Sequence, residues 1–72
     1  GYLLDRRRVN SAVDETRQAI LGIANGQRAS GQLSPQSAAM RRRQHQLARE
    51  ANLLSRSSGK EPRRRVTIYQ NQ

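Results

Sequence analysis

Residues 61–72 read EPRRRVTIYQNQ, and the fold turns on whether the VTIY within this stretch is a strand and on what it pairs with. Val66, Thr67, Ile68 and Tyr69 are β-branched or aromatic, the residue types that fit a pleated surface. Alternation sends Val66 and Ile68 to one face, Thr67 and Tyr69 to the other. A lone strand has no partners for its backbone donors and acceptors. Everything before it reads as helix or loop, so the tail is expected to dock on another chain. Val66, Ile68 and Tyr69 would supply the apolar contact, and Arg63, Arg64 and Arg65 would anchor to negative charge. The competing reading is a frayed basic terminus, against which the apolar run argues.

Working back from the tail, Pro62 and Gly59 read as the stop of a long helix. That helix starts with Ser34 as N-cap and Pro35 at the first position, where a missing N–H costs nothing. Its apolar stripe is Met40, Gln44, Leu47, Ala51 and Leu54, a spacing of four, three, four, three. Gln44 sits in the middle, either at the edge of the seam or as a polar contact that sets register. An earlier helix carries Val9, Val13, Thr16, Ile20 and Ile23 on one stripe, widened by Ala12, Ala19 and Ala24. Ser11 offers a capping box with Asp14, and Asn25-Gly26 offers a left-handed cap. The expected fold is all-α, an antiparallel helical hairpin with a basic extended or β-strand tail. Its parts are an arm or helix start over 1–10, helix over 11–25, connection over 26–34, helix over 35–58 and tail over 59–72. Val9, Val13, Ile20, Ile23, Met40, Leu47 and Leu54 form the seam.

Composition limits what such a hairpin can bury. Only 33% of the 72 residues are apolar, against about 45–50% in ordinary globular domains. Tyr2 and Tyr69 are the only aromatic residues, and cysteine is absent. Backbone ordering costs about 1–2 kcal/mol per residue, so the free monomer is expected to be marginal and to lean on copies of itself or on other subunits.

Charge points to the partner. Fourteen basic residues face five acidic ones, for a net charge of +9, and all the basic residues but Lys60 are arginine. The guanidinium fork suits phosphates and carboxylates and sheds water more readily than an ammonium. On a helix through Ser57, Arg42, Arg49 and Arg56 recur every seven residues, and Arg41, His45 and Asn52 lie on the neighbouring line. With Arg63, Arg64 and Arg65 they make a ridge for DNA or RNA backbone or for an acidic protein surface. The scarcity of aromatic platforms argues against a single-strand binder of the usual type. His45 has no cysteine or paired carboxylate near it in sequence, so no catalytic site is expected. Neither a metal site, a cofactor nor a small-molecule substrate is implied. The longest apolar run, AILGIA, is too short to span a membrane, and the start lacks a signal-peptide pattern.

The stretches ANGQR, MRRRQHQLAREANLL and GKEPRRRVTIY resemble, in order, the parts of the small head–tail joining proteins of tailed phages, the lambda protein W type. That family carries a β-hairpin between its helices, for which residues 26–34 are too short. The resemblance implies a ring subunit at the neck of a virion, touching portal, tail proteins and DNA. In that role the tail residues Arg63 to Arg65, Val66, Ile68 and Tyr69 would carry docking. The leading expectation is therefore a non-enzymatic assembly subunit, virion-borne or cytoplasmic. Its alternative is a freestanding basic nucleic-acid-binding protein of ribosomal or nucleoid type, making phosphate contacts. A membrane-surface helix is disfavoured because neither stripe carries Trp or Phe.

Overall fold

The run VTIY is the middle of a sheet built within the chain itself. A computed structural model describes the backbone of residues 2–71 and the side chains of residues 11–71. Its elements are helix α1 (Tyr2–Ala24), strand β1 (Ser30–Gln32), helix α2 (Ala38–Glu50), strand β2 (Leu54–Ser58) and strand β3 (Arg65–Tyr69). The strand order is β1-β3-β2, with both neighbours antiparallel to β3. Ser30, Gly31 and Gln32 face Tyr69, Ile68 and Thr67 on one side. Leu54 to Ser58 face Tyr69 to Arg65 on the other. The bonds Leu33 N–H to Val66 O (2.8 Å) and Gln70 N–H to Ala29 O (3.3 Å) extend the β1 pairing at each end.

This overturns the all-α hairpin and the docking tail together. Val66 and Ile68 are 0% exposed, packed with Ala19, Ile23, Leu33 and Ala48 under both helices. Burying each such side chain is worth about 1.5–3 kcal/mol, which is how a chain with few large side chains closes a core. Nothing is left of Val66 or Ile68 for another chain to hold. The connection over 26–34 is corrected as well, since it contains β1. Gly31 sits there because a side chain would press on α1: a Cβ at that position would lie 3.1 Å from the Ala19 Cβ.

The long second helix is also corrected. Ser37, not Ser34, is its N-cap, with its Oγ accepting from the Met40 N–H at 3.3 Å. It stops at Glu50 because Asn52 adopts φ 62°, a conformation Asn tolerates better than most residues. Leu53 N–H then reaches back to Ala48 O at 2.9 Å and Asn52 N–H to Arg49 O at 3.0 Å, the paired bonds of a Schellman cap. Residues 54–58, assigned to helix from sequence, are β2.

The helix faces shift with these boundaries. On α2 the buried residues are Arg41, Gln44 and Ala48; Met40 and Leu47 are half-buried, and Leu54 is 41% exposed on a strand. On α1 the deepest residues are Ala12, Thr16, Ala19 and Ile23, with Val13 and Ile20 half-buried; the Val9 side chain lies outside the described residues. Gln44 is 0% exposed and joins the helices: its Nε2 donates to Thr16 Oγ1 at 3.1 Å, and that hydroxyl donates to Ala12 O at 2.7 Å. The Glu15 carboxylate accepts from both the backbone N–H (3.2 Å) and the Oγ–H (2.8 Å) of Ser34, pinning the β1–α2 connection to α1. No helix among the described residues is long and apolar enough to cross a membrane.

Candidate functional site

One face of α2 opens onto the β2–β3 hairpin. Ala38, Arg41, Arg42, His45, Gln46 and Arg49 follow helical spacing along one wall of a groove of about 720 Å³. Ser57 of β2 and the loop residues Glu61 and Arg64 make the other wall. Four guanidinium groups and one carboxylate line it, so its field is positive.

Arg41 is the fixed member of the set. It is 8% exposed, and its guanidinium is clamped by two donated hydrogen bonds, to Gln36 O at 2.6 Å and to Glu61 Oε1 at 2.7 Å. The rest of its five donors are held in a set orientation at the groove. Glu61 is largely in water, with 62% of its side chain exposed. The pair therefore positions Arg41 more than it stabilises the fold.

His45 lies one helical turn further on, held at both ring nitrogens. Nδ1 pairs with Ser55 Oγ at 2.5 Å and Nε2 with Ser57 Oγ at 2.8 Å. Both serines point inward because β2 alternates, with Leu54, Arg56 and Ser58 on the opposite side. Partial burial, and after it the charges of Arg49 and Arg41, hold the imidazole below the usual histidine value of 6.5. The neutral ring donates to one serine and accepts from the other.

A lowered value in the folded state makes stability depend on pH in a definite direction. The unfolded chain takes up this proton first, so folding is favoured fully above the unfolded value and less as pH falls below it. The loss continues down to the folded value and then levels off. Thermal melts at about pH 7.5 and about pH 5 should show lower stability in acid, with the difference reduced in His45→Gln. An unchanged difference in that variant would remove His45 as its source.

The residues singled out from sequence do not all meet here. Arg41, Arg42, Arg49 and Arg64 line the groove. Arg56 does not share a helical line with Arg42 and Arg49, because it stands on β2 and faces the outer side of the sheet. Arg65 alternates with Val66 and so also belongs to that outer side, while Arg63 is exposed at the hairpin turn. Tyr69 is half-buried on the outer side, not in the core with Val66 and Ile68. Sequence reasoning missed Ser55 and Ser57, since nothing marks a serine as a histidine partner until the strand that carries it is known.

Among known protein families, residues 11–70 match the one described as the R-3-H domain. The chain belongs to the R-3-H domain family. No curated protein and no solved structure matches it. The R-3-H domain is a nucleic-acid-binding domain, and its span takes in all three strands and the whole of α2. That assignment overturns the phage head–tail resemblance. The stretches that carried it, MRRRQHQLAREANLL and GKEPRRRVTIY, are here helix, cap and hairpin of an R-3-H domain. Small basic chains with two helices share such stretches whatever their fold, so they could not distinguish the two families.

Proposed function

We propose that this R-3-H domain binds single-stranded RNA or DNA through the α2–hairpin groove, gripping phosphates and leaving the bases largely unread. The carrying observation is the immobilised Arg41, one turn from a serine-bracketed His45, in a wall that also holds Arg42 and Arg49. A guanidinium oriented before the ligand arrives loses little freedom on binding a phosphate. Neutral His45 spends its one ring N–H on a serine, and that serine's own hydroxyl proton is left to donate to the next phosphate oxygen. An arriving phosphate also favours the imidazolium, which would add charge to the contact. The role proposed is binding without catalysis: His45 spends both ring nitrogens on orienting the Ser55 and Ser57 hydroxyls.

Fluorescence anisotropy with a labelled oligonucleotide over a salt series tests this reading. Engaging three or four phosphates should give a log–log slope of about −2 to −3, at about 0.7 per phosphate on a single strand. Arg49→Gln should weaken binding and flatten that slope by about 0.7. Failure to bind any oligonucleotide at low salt would end the proposal.

A further inference from the structure

We infer that the outer face of the sheet is a second nucleic-acid surface, a base-stacking platform centred on Tyr69 that takes the nucleotides leaving the groove. This rests on the groove reading above and extends it to a face that reading does not use. The register places Tyr69 between Ser30 and Leu54, and Thr67 between Gln32 and Arg56. These residues stand opposite Val66 and Ile68, on the face turned away from the core that the helices cover among the described residues. A hollow of about 340 Å³ joins Tyr69 to Arg56 and Ser58 across the strands, and Leu54 beside the ring is 41% exposed.

The occupant follows from the chemistry of this face. An aromatic ring flanked by an exposed apolar side chain offers a base a stacking surface, and such stacking tolerates any base because each has a π-face. Arg56, one row along, and Arg65 at the hairpin end supply cations for the backbone, while the three strands carry no acidic residue at all. A polyanion with flat apolar rings fits both features. The face is also continuous with the groove through β2. Ser55 and Ser57 turn inward to His45, while Leu54, Arg56 and Ser58 turn outward. A strand crossing the free edge of β2 passes from one surface to the other. A single tyrosine platform of this kind is invisible to a count of aromatic residues, because one well-placed ring suffices for one base.

Tyrosine emission tests it directly. In a Tyr2→Phe background Tyr69 is the only tyrosine, and the chain has no tryptophan. Binding of an oligonucleotide of about ten bases should quench that emission, whereas one of about three should occupy the groove and quench little. Tyr69→Thr keeps strand propensity and should weaken the longer ligand about tenfold while leaving the shorter unchanged; Tyr69→Phe should restore the longer one. Equal affinity of Tyr69→Thr for both lengths, with unquenched emission in the parent, overturns the sheet platform and leaves the groove standing. Concentration-dependent dimerisation lost in Tyr69→Thr, without quenching by oligonucleotide, assigns the face to a second copy and likewise overturns it. Absence of binding at either length overturns the groove reading, and this one with it.

Discussion

Arg41→Gln is expected to weaken oligonucleotide binding by about ten- to a hundredfold while the domain stays folded. Hydrogen bonds to charged groups contribute about 1.5–3 kcal/mol each, and about 1.4 kcal/mol is a factor of ten in affinity. The cost to folding is smaller for a specific reason. Glu61, which loses its partner, is mostly exposed and rehydrates, so no buried charge is stranded. Arg41→Lys should recover only part of the loss, since an ammonium cannot hold Gln36 O and Glu61 while presenting further donors at fixed angles. Glu61→Gln should act in the opposite direction, tightening binding modestly, because the amide oxygen still accepts from Arg41 while the one carboxylate leaves the groove wall. Anisotropy titrations paired with thermal melts separate the two effects. A folded Arg41→Gln variant that binds as the parent does would show that the clamped guanidinium is not the anchor.

Arg41 also shows why the site was only partly legible in the sequence. Its basic neighbours stand out as a set from charge alone, and Arg42 and Arg49 do line one wall of the groove. The face was misjudged because Met40, Leu47 and Leu54 are larger and more apolar than Ala48, and they pulled the inferred seam round the helix by one residue. The inner line of α2 is instead Arg41, Gln44 and Ala48, two polar side chains and a methyl group. Arg41 is buried there by its stem while its head reaches the groove, as long basic side chains commonly do.

The strands were hidden for a different reason. LSRSS has little β propensity, and it forms an edge strand because β3 offers a ladder and His45 offers partners for two of its serines. SGQ carries no strand signal at all; it is selected by the small space beside Ala19. Both are tertiary choices that a local pattern does not record. Asn52 was the readable clue. An Asn soon after a helical run marks a left-handed cap, and a helix end placed there frees residues 54–58 to pair with VTIY.

Because β3 is that central strand, Ile68 should be among the least tolerant positions in the chain. Ile68→Ala removes a fully buried side chain, at a cost of about 2–5 kcal/mol. A domain of this length has about 4–11 kcal/mol of stability in total, from about 0.05–0.15 kcal/mol per residue. The variant should therefore unfold at much lower urea with an unchanged slope, followed by circular dichroism. Ile68→Asp places an unpaired carboxylate in the core and should abolish the cooperative transition. Thr67→Ala, on the opposite side of the same strand, should shift the midpoint by well under half as much. Ending the chain at Arg64 should be as destructive as Ile68→Asp, because β1 and β2 would each lose the one strand they pair with among the described residues. A docking tail behaves otherwise: its removal costs a partner and leaves the helices standing. Retention of a cooperative melt by the chain ending at Arg64 would contradict the sheet described here, since two isolated edge strands cannot cover Ile23 and Leu33 without β3 between them.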